Sequence, residues 1–150
     1  MDDRFVVEPC EYETISCFQS RAKKENSVLK PGQKFKTWFS IRYGRELVGV
    51  CGLHARGKVA RIGGAWIDPA FRKMGAFSIC HHTRFRWLLA NTTTIEKVEA
   101  CAVGPVDYYG LFGFEYVKTL RNGARLLVKP WDYDRERAYY SEERTLPGSS

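Results

Sequence analysis

The residues best suited to chemistry lie in a connector between a strand-like run and a helix-like run. The connector spans Asp68 to Gly75, and Ala76, Phe77 and Ser78 follow it. The first backbone N–H groups of a helix have no partner within the helix, and the helix dipole favours an anion there. The segment therefore predicts a cradle for a pyrophosphate group.

Each side chain in this segment fits such a cradle. Arg72 and Lys73 add positive charge, Gly75 and Ala76 leave room for a bulky phosphate, and Ser78 offers a hydroxyl donor. Neither the P-loop pattern nor the dinucleotide-binding pattern occurs in the sequence. The alternative is an ordinary strand-to-helix turn that carries basic side chains and binds no ligand.

The elements that must position the connector follow from hydrophobic periodicity and turn signals. The predicted strands are Phe5–Val7, Lys34–Tyr43, Glu46–His54, Val59–Ile67, Val98–Val103, Phe114–Leu120 and Arg125–Lys129. The predicted helices are Glu11–Lys24, Gly75–Ala90 and Pro105–Phe112. This order predicts an α/β (α+β) fold in which helices flank a mixed, mostly antiparallel sheet with a central βαβ unit.

Two local patterns carry further expectations. The adjacent Gly63 and Gly64 predict a bulge or a close backbone approach within a strand. His81 and His82 are neighbours on the predicted helix, so they point about 100° apart and do not share a metal ion. We expect both histidines to be exposed and expect no metal site. The helix is expected to bury Ala76, Ile79, Cys80, Thr83, Trp87 and Ala90.

Three motifs in order resemble the GNAT superfamily of N-acyltransferases over about residues 5–131. The run Pro69-x-x-Arg72-x-x-Gly75-x-Phe77-Ser78 resembles the family's acyl-CoA pyrophosphate loop, although Phe77 stands where Gly or Ala is commonest. The run Tyr109 to Phe114 resembles the family's Y-x-x-x-G-F signature, and Arg125–Pro130 resembles its final strand.

The resemblance implies a GNAT-like domain over residues 1–131 that transfers an acyl group, most simply acetyl, from acetyl-CoA to an amine. It implies that Tyr109 gives a proton to the departing thiolate, with Tyr108 as the alternative. The implied cofactor-binding residues are Ala65, Trp66, Ile67, Arg72, Lys73, Met74, Gly75, Ala76, Phe77 and Ser78. Residues 132–150 are expected to form a charged, Tyr-rich extension with a frayed tail.

The general base stays open. Many relatives place a Glu on the strand before the phosphate loop, but Val59–Ile67 contains no acidic residue. Asp68, Glu99, Asp107 and His54 are the candidates, and a chain of water molecules would also serve.

The charge distribution bears on the acceptor. The chain has 150 residues and a net charge of +7, and the segment Arg21–Arg45 carries eight basic residues against one acid, Glu25. Basic side chains interleaved with aromatics favour a polyanion such as nucleic acid, while a solvated basic face is the alternative. Two further alternatives are a DNA-modifying enzyme akin to the phage Mom-like proteins and a non-catalytic nucleic-acid-binding module.

Other classes are disfavoured by the sequence. No apolar run is long enough to cross a membrane, and the N-terminus lacks the apolar core of a secretory signal. The five cysteines form no C-x-x-C pair, so we expect buried structural thiols in a reducing compartment. The expectation is a cytoplasmic protein of unknown oligomeric state with no membrane partner.

Overall fold

The computed structural model describes residues 5–25, 35–102 and 107–140. The strands are β1 (Phe5–Cys10), β2 (Thr37–Tyr43), β3 (Glu46–Arg56), β4 (Val59–Ile67), β5 (Lys97–Ala102), β6 (Glu115–Thr119) and β7 (Arg125–Pro130). The α-helices are α1 (Tyr12–Ile15), α2 (Gln19–Lys24), α3 (Ala76–Asn91), α4 (Asp107–Gly110) and α5 (Tyr133–Tyr139). Short 3-10 turns cover Ser16–Phe18 and Pro69–Phe71.

The strands form one sheet in the order β1-β2-β3-β4-β5-β7-β6. Every neighbouring pair is antiparallel except β4 and β5, which α3 connects as a parallel βαβ unit. The predicted fold class is confirmed. The predicted first helix is divided into α1, a 3-10 turn and α2, and the predicted start of β2 at Lys34 lies outside the described residues.

Two apolar clusters lie on opposite faces of the sheet. The front face carries α1 and α2, which pack Ile15 and Phe18 against Trp38, Val50 and Trp66. The back face carries α3 and α5 and the larger cluster, which includes Phe39, Leu53, Phe85, Leu88 and Leu127. Burial of these side chains supplies the main driving force for folding.

The buried face of α3 is not the one that we expected. Ala76 and Cys80 are buried as predicted, but Ile79, Thr83 and Trp87 are only half-buried and Ala90 is exposed. The buried positions include His81, His82, Arg84, Phe85 and Leu88. The prediction that both histidines are exposed is wrong, because α3 is covered by α4 and α5 as well as by the sheet.

The expected distortion at Gly63 and Gly64 is present and is a β-bulge. Between the pairs Val50↔Trp66 and Gly52↔Gly63, β4 contains one residue more than β3. Gly64 adopts a φ of +55°, which favours glycine. A Cβ on Gly63 would lie 2.5 Å from the Phe35 ring, and one on Gly64 would lie 2.9 Å from Trp38. The two glycines therefore serve both the bulge and a close aromatic contact.

The C-terminal part of the described chain packs onto the back face. Asp132 caps α5 by accepting hydrogen bonds from two backbone N–H groups of its first turn. Glu136 of α5 is buried and forms an ion pair with the buried Lys129 of β7, at 3.2 Å. Tyr140 belongs to the back-face cluster. The predicted frayed tail lies outside the described residues.

The cysteines are more varied than expected. Cys51 and Cys80 are buried, Cys10 is half-buried, and Cys17 and Cys101 are exposed, so the prediction of buried thiols is wrong for the last two. In the described parts of the chain, no helix is long and apolar enough to cross a membrane.

Candidate active site

The candidate site lies where β4 and β5 separate. Their parallel ladder contains four residue pairs, from Val59↔Lys97 to Ile62↔Ala100. The bulge at Gly63–Gly64 begins at the next residue of β4, so the two strands diverge from that point. Beyond it, β4 continues to Ile67 and β5 to Ala102. The result is a V-shaped opening in the middle of the sheet.

The predicted phosphate loop leads from the wide end of this opening into α3. Asp68 accepts a hydrogen bond from the Ala70 backbone N–H at 2.9 Å and fixes the start of the loop. Lys73 and Gly75 adopt positive φ values of 64° and 90°. Alternating backbone conformations of this kind turn successive N–H groups inward into an anion-binding nest.

The first turn of α3 completes an anion-favouring surface. It has no side-chain cap and no acidic residue. Nothing within 4 Å would contact a Cβ on Gly75, so the surface beside the loop is open. Lys73, Met74 and Gly75 are exposed, and Ala76 is buried. The residues of the loop thus fit the pyrophosphate group of a CoA molecule.

The Arg72 side chain extends toward the C-terminal end of α2. Its Nε donates to the Ile67 carbonyl at 2.9 Å, and its Nη2 pairs with the Glu25 carboxylate at 2.8 Å. Glu25 also accepts a hydrogen bond from the Trp66 indole at 3.1 Å. Arg21 lies over the Trp66 ring and pairs with Asp68. Two ion pairs around Trp66 therefore join α2 to the loop.

The two tyrosines of α4 lie against α3. The Tyr108 hydroxyl is 3.3 Å from Ser78 Oγ, in the first turn of α3. Burial raises the pKa of Tyr108 to about 12 and also raises the pKa of Tyr109. The Tyr109 ring packs edge-on against Phe114 and His81. Both phenols are consequently protonated at neutral pH and able to donate.

A buried arginine lies behind these tyrosines. Arg84 is 3% exposed, and its Nη1 donates to the Gly52 carbonyl at 3.1 Å. Its Nη2 is 3.4 Å from Nδ1 of His81, which is 2% exposed. Burial is the main cause that lowers the pKa of His81 well below its usual value. Sequence reasoning did not predict that Arg84 is buried, because a charged residue on a helix is usually solvated.

The structure distributes the candidate bases over different parts of the site. Asp68 is ion-paired, and its hydrogen bond to the loop backbone lowers its pKa. Glu99 lies on the front face of β5 between Arg61, at 3.2 Å, and Lys97, at 3.3 Å. His54 pairs across strands with Arg61, and burial lowers its pKa, so it is neutral at neutral pH. Asp107 is exposed at the start of α4. The described residues contain no group of three metal ligands.

The basic segment Arg21–Arg45 is not one continuous patch. Arg42 and Arg45 lie at the β2–β3 turn, whereas Lys36 precedes β2. Seven residues of strand separate these positions by roughly 20 Å. Lys30 and Lys34 lie outside the described residues.

Comparison with solved structures identifies the architecture. A GNAT-family acetyltransferase from Streptococcus pneumoniae superposes with a TM-score of 0.68, at 11% identity over 85% of this chain and 99% of that one. A GNAT-family acetyltransferase from Elizabethkingia anophelis, solved with acetyl-CoA bound, gives a TM-score of 0.63, at 11% identity over 87% of this chain and 100% of that one. The chain has the GNAT fold.

A third similar structure is a larger enzyme. N-acetylglutamate synthase from Neisseria gonorrhoeae, solved with coenzyme A and L-arginine, gives a TM-score of 0.65 at 11% identity. The match covers 84% of this chain but only 33% of that one, so this chain spans about a third of its length. No protein-family model and no curated protein matches the sequence.

Proposed function

We propose that the protein is an acyl-CoA-dependent N-acyltransferase, most simply an acetyltransferase. The observation that carries this proposal is that the opening in the sheet and the anion-binding nest lie next to each other. The opening between β4 and β5 leads directly to the nest formed by Lys73 and Gly75 at the start of α3. A molecule with an extended amide arm and a pyrophosphate matches both features.

In this proposal the loop from Arg72 to Ser78 binds the pyrophosphate. The backbone N–H groups of Lys73, Met74, Gly75 and Ala76 face the anion, and the half-buried Phe77 anchors the helix start in the back-face cluster. Arg72 holds the loop to Ile67 and contributes positive charge beside it. The β4 residues Ala65, Trp66 and Ile67 contact the amide arm of pantetheine as an added strand would.

Acyl transfer breaks the thioester C–S bond and forms a C–N bond to the amine. The electron pair leaves with sulfur, which takes a proton, and the amine nitrogen loses one. We assign the donation to Tyr109, because a phenol is protonated at neutral pH, and burial raises the pKa of this one further. The amine proton passes to solvent or to one of the bases named above, and Tyr109 is reprotonated.

The acceptor is the least constrained part of the proposal. A specific observation favours an anionic acceptor, such as nucleic acid, as a second candidate. Lys36 and Arg56 both lower the pKa of His54, which pairs with Arg61 beside the closed end of the opening. Arg61 and Lys97 flank Glu99 on the same face of the sheet. Their charge would attract a phosphate-bearing or carboxylate-bearing amine.

Ligand-induced stabilisation tests the acyl-CoA assignment. A ligand that binds only the folded state raises the melting temperature, so acetyl-CoA should raise it for the wild type. Gly75→Glu should abolish this shift, because it places a carboxylate in the anion nest. Gly123→Glu is the matched control, since Gly123 has a φ of +88° against +90° for Gly75 and equally open surroundings.

The control separates cofactor binding from backbone strain. Both substitutions impose the same conformational penalty, but Gly123 lies in the β6–β7 turn. We expect the Gly123→Glu protein to keep the full shift with acetyl-CoA. An undiminished shift in Gly75→Glu would rule out the proposed loop as the cofactor site.

A further inference from the structure

Arg84 is a buried cation without a carboxylate partner. Among the residues that the structure describes, no acidic side chain forms an ion pair with it, and its Nε has no hydrogen-bond partner. Its two contacts are to uncharged groups, the Gly52 carbonyl and His81 Nδ1. A guanidinium does not give up its proton in a protein, so the charge persists in the interior.

This arrangement is costly for the folded protein. Removing an ion from water carries a large free-energy penalty that a neutral carbonyl only partly offsets. A methionine or leucine would fill a similar volume on α3 without that penalty. No carboxylate of the described residues meets this charge, so a negative group that a ligand brings close to it would be stabilised.

The groups around Arg84 come from each element packed against it. They are Cys51 on β3, Cys80 and His81 on α3, and Tyr108 and Tyr109 on α4. Lys129 of β7 is a second cation near His81. Among the described residues, none of these groups is a carboxylate. Burial raises the pKa of the Cys51 thiol, but a hydrogen bond with Cys80 and the Arg84 charge outweigh it and lower that pKa. The only hydroxyls among them belong to the two tyrosines.

The connection from Arg84 to the tyrosines is short and buried. The His81 ring, which contacts Arg84, lies 5.6 Å from the Tyr108 ring and 5.6 Å from the Tyr109 ring, measured between centroids. Because Nδ1 faces the Arg84 guanidinium, it acts as acceptor, and the imidazole proton resides on Nε2. Burial is the larger influence and raises the pKa of both phenols, whereas the Arg84 charge opposes it.

We infer that Arg84 is a positioning residue whose buried charge, next to the start of the opening between β4 and β5, stabilises the negative charge on a thiolate that departs beside Tyr108 and Tyr109. This inference rests on the proposed acyl-CoA function. When the C–S bond breaks, the electron pair goes to sulfur and a phenol supplies the proton. A fixed cation in a low-dielectric interior stabilises negative charge on either atom without reorganisation.

Arg84 also fixes the local backbone. Its Nη1 binds the carbonyl of Gly52, which pairs with Gly63 at the start of the β4 bulge. A purely structural role at this position would affect the binding of any CoA-like molecule equally. An electrostatic role would instead affect the affinity for CoA, which carries the sulfur, more than the affinity for desulfo-CoA, which lacks it.

The test compares the affinities of CoA and desulfo-CoA at pH 7, 8 and 9 by titration calorimetry under reducing conditions. A cation beside the sulfur lowers the pKa of the bound thiol relative to that of free CoA. The wild type should therefore prefer CoA increasingly as pH rises toward 9, up to about tenfold, which is the limit for a pKa shift of one unit. Arg84→Met should lose this preference and keep its affinity for desulfo-CoA within about threefold.

Two further variants complete the design. Arg84→Lys keeps the positive charge and should keep most of the preference for CoA. This variant also tests the role of the charge if Arg84→Met does not fold. Arg86→Met removes a charge two residues along the same helix and should leave the preference unchanged. Circular dichroism and melting temperature establish that each variant is folded.

The outcomes separate the two proposals. If the wild type binds neither molecule, both the acyl-CoA function and this inference fail. If it binds both equally at pH 9, or if Arg84→Met retains the preference, only the inference about Arg84 fails. Loss of the preference in folded Arg84→Lys would also overturn it, because charge would then not be the cause.

Discussion

At the scale of single residues, Tyr108 and Tyr109 present two phenols with different surroundings. Tyr108 shares a hydrogen bond with Ser78, so its hydroxyl is engaged near the start of α3. Tyr109 packs through its ring against Phe114 and His81. These differences make the two tyrosines a natural matched pair for mutation.

We expect Tyr109→Phe to lower kcat by about 10²–10⁴-fold, since a general acid contributes that much. Binding of acetyl-CoA should change little, because the phenyl ring retains the packing. Steady-state kinetics with an amine that the protein acetylates measure kcat, and calorimetry measures the affinity for acetyl-CoA. Tyr108→Phe should reduce kcat far less. The reverse order would assign the proton donor to Tyr108.

The loop at residues 68–78 was predictable, but the buried polar residues of α3 were not. Gly75, the basic pair and the helix start follow from turn chemistry that is local in sequence. His81 and Arg84 look like solvent-facing residues, since their burial depends on α4 and on the Gly52 carbonyl, which are distant in sequence. No local pattern distinguishes a hydrogen-bonded buried arginine from an exposed one.

At the scale of elements, the contact between α3 and α5 depends on a neutral histidine. His82 is 1% exposed, and its ring lies 4.9 Å from the Tyr140 ring. Neither of its ring nitrogens has a hydrogen-bond partner among the described residues. Burial, with a smaller contribution from Arg86, lowers its pKa to about 4. The unfolded chain therefore binds this proton more tightly than the folded one.

The stability that His82 contributes is fully present above pH 6.5 and is lost as pH falls toward 4. The free energy of unfolding should decrease between pH 7 and pH 4.5 in both the wild type and the His82→Gln variant. We expect the decrease in His82→Gln to be smaller than the decrease in the wild type by about 2 kcal/mol. Urea denaturation at both pH values measures this. His54→Gln is the comparison and should reduce the pH dependence less than His82→Gln does, because His54 is the more exposed of the two histidines. An unaltered difference for His82→Gln would contradict the assignment.

The ion pair between β7 and α5 gives a second prediction at this scale. Lys129 and Glu136 are both buried, and Arg135 adds a contact of 2.8 Å to Glu136. Glu136→Leu should lower the free energy of unfolding by about 3–5 kcal/mol, because it leaves the Lys129 charge buried and uncompensated. Denaturant titration measures the loss. The double variant Lys129→Met/Glu136→Leu should recover much of it, and a double variant no more stable than the single one would contradict this reasoning.

The strands and the βαβ unit were predictable, because hydrophobic periodicity and turn signals are local patterns in the sequence. The helix α5 was missed because the residues after Trp131 are charged and Tyr-rich, which is typical of an exposed extension. Its burial depends on Lys129 as a partner for Glu136, and that pairing is visible only in three dimensions. The division of the first helix into α1 and α2 was missed for a similar reason.

At the scale of the whole molecule, the net charge of +7 is distributed over both faces and several turns. Lys36 and Arg61, two of the cations that lower the pKa of His54, are the ones that bear on the acceptor. Cations elsewhere, such as Arg121 in the β6–β7 turn and Arg137 on α5, raise the net charge equally without bordering the opening.

If the acceptor is a nucleic acid, its affinity should fall steeply with salt, because each neutralised phosphate releases counterions. Lys36→Gln/Arg61→Gln should reduce the slope of log affinity against log salt by about two. Fluorescence anisotropy with single-stranded and duplex oligonucleotides measures the slope. Arg121→Gln/Arg137→Gln removes the same charge and should leave it nearly unchanged. Absence of binding by the wild type at low salt would exclude a nucleic-acid acceptor and leave the acyltransferase proposal in place.

The short parallel ladder between β4 and β5 also divides the polypeptide in a way that protein engineering can use. Among the described residues, four residue pairs of the strand ladder join the half of the sheet made of β1–β4 to the half made of β5, β7 and β6. The exposed Thr93 lies in the connection between the two halves. Cleaving the gene there would give two fragments, 1–93 and 94–150, that share one back-face cluster through Leu88, Phe85 and Leu127. We expect such fragments to reassemble weakly alone and efficiently when fused to interacting partners. The chain would then serve as a split reporter whose ligand-induced melting shift reads out the proximity of two other proteins.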